Sequence, residues 1–353
     1  MNINLKSIIT TLIITAMLLS TTLVTNAGFI SEQNLNMKMQ QAQQQTQTIV
    51  EKYAVIVIGL YSVITEWNIS KWGPNNGWPN LALIQQYYEW YMEDAAGLYN
   101  VFKNEYGYDD EHIILLAQQL PNLGIVNETT GVTYFTMPDV MNPDWIDYTS
   151  DEEILKEVLN SFKEGGSRQL DDNDQLFFSY INHGNVNKDG DGFFGFPIIK
   201  FGQIIRYLLS LLGFPIDRFP RLYDYELAEY IEGIEGKLIF ALQPCKSGSF
   251  IEELSGENRV ILTSTRADES DNGWITHFRK TFNEYKEYVD QNGDEKISLN
   301  EAYNYSAYWL EVLVGTHPQI DDNGDGVGHF ITDPEYDPYT LGMDGYLASS
   351  TFL

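Results

Sequence analysis

The chain has one cysteine, Cys245, in 353 residues, so no disulfide can form within it. A fold of this size without one is held by its core, by bound metals, or by both. Positive charge is also scarce. Fifty acidic side chains face twenty-one basic ones, for a net charge of -29, which argues against nucleic acid and anionic membrane surfaces as partners. Beyond residue 27 no apolar run is long enough to span a bilayer; residues 204–212 are apolar but too few, and predict a buried helix.

One long apolar stretch stands at the beginning. Lys6 precedes an apolar segment over 8–24, and Thr25-Asn26-Ala27 follows with small residues where a signal peptidase reads. Residues 1–27 therefore predict a secretory signal peptide, and a secreted or cell-surface location. A retained anchor, the only route to a membrane, is the weaker alternative because threonines and a serine interrupt the stretch. Residues 28–50 are glutamine-rich with no apolar stripe and read as a spacer. Asn68, Asn127 and Asn304 begin short glycosylation sequons, which also arise often by chance.

The remaining chain alternates strand and helix patterns. Residues 53–59 are a β-branched run closed by glycine, and 112–117 and 259–265 read as further strands. Between the first two, an aromatic loop with Trp67, Trp72 and Trp78 leads into a helix over 81–106 that ends at Gly107. Ser150 and Glu153 have the spacing of a capping box for a helix to about 162. Residues 198–235 read as helical pieces, 274–288 and 299–314 as the last two helices, and 315–353 as acidic loops. This order predicts an α/β fold, a mostly parallel sheet flanked by helices on both faces. A main domain spans 51–270, with helices and acidic loops of 271–353 packed on it.

Two apolar runs stop at reactive side chains. Residues 175–182 lead to His183-Gly184, and 237–244 lead to Cys245-Lys-Ser-Gly-Ser249. Parallel sheets collect their chemistry at the carboxyl ends of strands. A thiol at one such end and an imidazole at another form a candidate nucleophile and acid/base. Singly, each is also a common satisfied core residue.

These blocks resemble the legumain family of cysteine peptidases, in the caspase-like group, over about 53–270. The resemblance rests on Asp94-Ala-Ala-Gly-Leu-Tyr99 with 107–115, His183-Gly184 with Gly195-Phe-Pro197, Gln243-Pro-Cys-Lys-Ser-Gly-Ser249, and Thr263-Ser-Thr265 with Glu269-Ser270. It implies a caspase-like fold, a Cys245–His183 dyad, an oxyanion site from the main-chain N–H groups of Gly184 and Cys245, and peptide or protein substrates. It also implies substrate contacts from Gln243, Ser264, Glu269 and Trp90. Trp90 stands where asparagine-specific members carry an arginine, so cleavage after Asn does not carry over, and an aromatic pocket is the alternative. The family's third catalytic asparagine has no counterpart.

A further pattern points to calcium. Residues 290–301 place Asp290, Asn292, Asp294, Lys296 (through its carbonyl), Ser298 and Glu301 at the ligand positions of an EF-hand loop, with Glu295 where glycine is usual. Asp321, Asn323 and Asp325, and Asn187, Asp189 and Asp191, repeat only its opening. Acid- and Gly-rich loops of this kind are also common as plain solvated turns. The combined expectation is an exported, calcium-stabilised cysteine endopeptidase; a non-catalytic calcium-binding surface domain and a transpeptidase of the same fold are the alternatives.

Overall fold

Strands β1 (Lys52–Ile58), β2 (Ile113–Leu116), β5 (Gln175–Ile181), β9 (Lys237–Leu242), β10 (Arg259–Thr263) and β11 (Gln319–Asp321) form one sheet in the order β11-β10-β9-β5-β1-β2. All neighbours run parallel except β11, which is antiparallel to β10. The computed structural model describes residues 50–59, 81–117, 125–127, 131–133, 140–196 and 220–353. The expected signal peptide and nearly all of the spacer, the aromatic loop over 60–80 and the expected helical pieces over 198–219 lie outside the described residues. Val50–Leu353 form one compact unit.

The sheet is mostly parallel and buried on both sides, so its strands are apolar almost throughout instead of alternating with polar residues. Alternate side chains of β1 enter opposite cores: Ala54 and Ile56 on one face, Val55 and Val57 on the other. The first face is covered by α1 (Leu81–Asn100), α5 (Trp274–Thr281) and α7 (Leu299–Leu313), through Met92, Ala95, Trp274, Phe278, Tyr303 and Leu310. The second is covered by α2 (Glu152–Asn160), α3 (Asp224–Ile231) and α4 (Ile251–Leu254), through Leu155, Leu159, Leu227, Ile231 and Leu254. Phe177 and Phe240 are fully buried, one in each core. Cutting either back to alanine should cost about 3–5 kcal/mol.

Helix α1 is tied to α5 by a buried ion pair, Asp94 Oδ1 to Arg279 Nε at 2.8 Å, to which the Thr276 hydroxyl adds a hydrogen bond. Gly97 makes room for it, because a Cβ there would stand 2.5 Å from Arg279 Cδ.

Several local expectations change. The cap of α2 is Asp151, whose Oδ1 accepts from the N–H groups of Glu153 and Ile154, while Ser150 is buried behind it. The helix expected over 274–288 breaks after Thr281 and resumes as α6 (Lys286–Val289). The acidic 315–353 region contributes the edge strand β11 and a short helix, α8 (Tyr346–Ser349). Residues 184–195 form a hairpin of β6 (Gly184–Val186) and β7 (Gly192–Gly195), extended by β8 (Arg221–Tyr223), a strand within the stretch expected as helical pieces. A separate hairpin joins β3 (Ile125–Asn127) and β4 (Gly131–Thr133).

Candidate active site

Strands β5 and β9 are parallel neighbours with Tyr180 opposite Leu242, and the ladder runs on through a 3.1 Å bond from Gln243 N–H to Tyr180 O. His183 and Cys245 each follow that paired position by three residues. Adjacent parallel strands lie about 4.8 Å apart, so the register delivers imidazole and thiol to the same rim of the sheet. Gly184 joins the two loops: a Cβ there would sit 2.7 Å from Pro244 Cβ and 2.8 Å from Phe193 O.

The turn before His183 is held by its own side chain. Asn182 has φ +136°, a region that disfavours residues with a Cβ. Its Oδ1 accepts from the His183 N–H at 2.7 Å and its Nδ2 donates to Gly59 O at 3.1 Å, which fastens the loop to the end of β1. Tyr91, on α1, meets the imidazole edge to face, its hydroxyl 3.4 Å from Nε2. The β6–β7 ladder bonds fall at His183–Gly195 and Asn187–Asp191. Antiparallel ladders bond at alternate residues, so the Gly184 N–H lies on the edge of β6 turned away from β7.

Cys245 sits in a turn closed by Ser247 N–H to Pro244 O at 3.1 Å, with Lys246 left-handed at φ +63°. The Lys246 N–H donates to Glu269 O at 2.8 Å, and the Asp271 N–H donates to Cys245 Sγ at 3.3 Å. Beneath the turn the buried hydroxyls of Ser247 and Ser264 lie 3.2 Å apart, and Ser264 Oγ donates to Gln243 O at 2.5 Å. The Asp271 carboxylate accepts from the Gly273 and Trp274 N–H groups and so caps α5, and the Ser264 hydroxyl also reaches it. Loss of water around this carboxyl, with Asp94 adding repulsion, pushes its pKa up to about 6.

The expected substrate residues are placed unevenly. Gln243 is 3% exposed and Ser264 is buried, both directly under the Cys245 turn. Glu269 is near it too, but its carboxylate is taken by His317, at 2.6 Å from Nδ1 and 2.9 Å from the main-chain N–H. Trp90 is 47% exposed on α1; the side chain of that helix that reaches the imidazole is its neighbour Tyr91. Sequence reading missed Tyr91, Asn182 and Asp271. Tyr91 falls in an aromatic helical stripe that reads as core, and Asp271 touches sulfur through its backbone, which no residue type encodes. The Asp-x-Gly-Trp spacing before α5 was a usable cap signal.

The loops at 290 and 321 share one hydrogen-bond pattern. In each, the first Asp accepts from the N–H groups of the fourth and sixth residues: Asp290 from Gly293 and Glu295, Asp321 from Gly324 and Gly326. Asn292 and Asn323 accept from Asp294 and Asp325, which in turn accept from Lys296 and Val327. Glu295 adopts φ +65°, the left-handed shape normally left to glycine. The Glu301 carboxylate turns to Ser298 and the Gln291 N–H as part of the α7 capping box. The third loop differs, since Asn187 receives the Asp189 and Asp191 N–H groups at the tip of the β6–β7 hairpin. Among the described residues, no three His, Cys, Asp or Glu side chains are gathered as a metal site would gather them.

The sequence model of the peptidase C13 family matches residues 85–313, nearly two thirds of the chain and including both His183 and Cys245. No curated protein matches the chain.

Proposed function

The chain belongs to the peptidase C13 family, the legumain family of cysteine peptidases, and from that premise we propose that it is an exported endopeptidase working through Cys245 and His183. One observation carries this: Tyr180 and Leu242 are paired across β5 and β9, and each reactive residue follows its partner by the same three positions.

The chemistry follows from the arrangement. The Cys245 thiolate adds to the carbonyl carbon of the scissile bond, and the carbonyl oxygen takes up the negative charge. The Gly184 N–H, free of the β6–β7 ladder, faces that oxygen together with the Cys245 N–H. As the C–N bond breaks, His183 gives its proton to the departing amine and an S-acyl enzyme remains. Water, deprotonated by His183, then attacks the thioester, releasing the acid product and restoring the thiol. The Asp271 N–H bonded to Sγ favours the thiolate, as a donor to a charged acceptor should.

Alkylation by iodoacetamide tests the dyad. Cys245 should be labelled rapidly in the native protein and at least tenfold more slowly in His183→Ala; equal rates in the two would reject the pairing. Products formed with an added amine nucleophile separate hydrolysis from transpeptidation.

Calcium belongs to the same reading. It is supported by the shared architecture of the 290 and 321 loops and by α6 and α7 flanking the first. Oxygen ligands from Asp290, Asn292, Asp294 and the Lys296 carbonyl suit a hard cation, and binding would have to draw Glu301 away from its cap. A calcium titration should raise the melting temperature and a chelator reverse it; an unchanged melting curve rejects the site.

A further inference from the structure

Two acceptors beside the proposed nucleophile are incompletely matched, one lacking a counter-ion and one lacking a donor. The first is the Asp271 carboxylate. Its partners are two main-chain N–H groups and the Ser264 hydroxyl, and among the described residues no Lys, Arg or His stands within ion-pair distance of it. Three cations of this region pair with other carboxylates: Arg279 with Asp94, Arg266 with Asp268, and His317 with Glu269. The second is Gln243 Oε1, which is buried and has no hydrogen-bond donor among the described residues. A buried acceptor without a donor and a carboxylate without a cation are each costly, so a ligand that supplies a positively charged donor would relieve both.

Their placement is shared. Ile239 and Ala241 of β9 enter the core beneath α1 and α5, so strand alternation puts Gln243 on that same face, where Asp271 opens α5. The Ser264 hydroxyl bonds the Gln243 carbonyl and reaches the Asp271 carboxylate, which brings the two residues to one hydroxyl. Asp271 in turn touches Sγ through its N–H. A substrate side chain next to the attacked carbonyl that reached this point would meet a carboxylate with no cation and an amide oxygen with no donor among the described residues.

We propose that the subsite adjoining the scissile bond takes a basic side chain, Lys or Arg, with the Asp271 carboxylate as its counter-ion and Gln243 Oε1 as a second acceptor. This rests on Cys245 being the peptidase nucleophile. It replaces the aromatic pocket expected from Trp90 with a charged one, and it makes Asp271 the specificity-determining residue.

The test uses the full chain and fluorogenic peptides that differ only at the residue before the cut, carrying Arg, Lys, norleucine, Asn or Asp. A hydrogen-bonded ion pair predicts Arg and Lys to exceed norleucine in kcat/KM by about 10- to 100-fold, and Asp to be the poorest. In Asp271→Asn, whose amide oxygen can still cap α5, the Arg-to-norleucine ratio should collapse toward one, while Asp271→Glu should keep a basic preference. Melting curves of both variants report whether the fold is kept; if Asp271→Asn does not fold, the substrate ranking of the unaltered chain decides. A preference for norleucine, Asn or Asp, or an undiminished ratio in folded Asp271→Asn, overturns the inference. If Cys245 still alkylates in a His183-dependent way in that case, the peptidase reading survives it. A folded chain that neither alkylates so nor cleaves any peptide overturns both.

Discussion

The two rims of the sheet use the same strand register for opposite purposes. At the carboxyl rim β5 and β9 end in irregular turns, with Asn182 and Lys246 at positive φ and with hydroxyls and acceptors packed under the Cys245 turn. At the amino rim the first residues of three strands, Lys52, Gln175 and Lys237, stand side by side and hold the tail of the chain. Lys52 Nζ donates to Phe352 O and Leu353 O at 3.1 and 3.0 Å, Gln175 Nε2 to Phe352 O at 3.1 Å, and Lys237 Nζ to Thr351 Oγ1 at 2.9 Å. Regular pairing ends in closure at one rim and in exposed chemistry at the other. Backbone strain at Asn182 and Lys246 and the unpartnered Gln243 Oε1 fall where reaction is expected, as functional sites tend to hold such features.

Substitutions can break this contrast in graded steps. Cys245→Ala should abolish peptide cleavage, by on the order of 10³-fold or more, and leave the melting temperature within a degree or two of the unaltered chain. Gly184→Ala comes next. Its Cβ must push against Pro244 and Phe193 O and displace an N–H donor, so kcat should fall by about 10²-fold, the usual cost of a lost oxyanion donor, with a smaller loss of stability. Tyr91→Phe removes one long hydrogen bond to His183 and keeps the ring. It should lower kcat/KM by less than about tenfold and move the pH profile of the rate, which a purely structural role would leave in place. At the amino rim the pattern inverts: Lys52→Ala should destabilise by about 1 kcal/mol with kcat/KM unchanged. Half-burial and the nearby Lys237 already hold the Lys52 pKa below its usual range, which offsets part of the gain from its bonds.

The smallest effect concerns pH. Asp344 is fully buried; it accepts from the Asp322 and Asn323 N–H groups and from His329 Nδ1 at 2.6 Å. Burial beside Asp321 and Asp322 pushes its pKa up to about 7, and the Asp344 and Glu335 carboxylates hold that of His329 above its usual value against the opposing effect of burial. Both groups keep protons in the folded chain that they would release on unfolding. Their contribution is therefore present at low pH and is lost as pH rises through about 7. The melting temperature should decline from pH 6 to pH 8 and the decline should be blunted in Asp344→Asn; a flat profile in the unaltered chain would refute this.

What could be read from the residues divides along the same line. His183 and Cys245 were legible because long apolar runs end at them, and runs of that kind have few alternatives to a buried strand. The helices of the first face followed from aromatic and aliphatic spacing in α1, α5 and α7. The β6–β8 sheet was not legible, because the Gly- and Asp-rich turn at 187–192 looks like a loop and β8 lies within 198–235, which read as helical pieces. Nor was β11, which is three residues long and paired only through the fold. Tyr91 and Asp271 stayed hidden for a different reason: their roles depend on contacts across nearly a hundred residues and across twenty-six, respectively.

The three-residue offset shared by His183 and Cys245 has a consequence for how such a chain can vary. Side chains alternate between faces with a period of two, so inserting or deleting one residue between Tyr180 and His183, or between Leu242 and Cys245, would swing one partner to the wrong side.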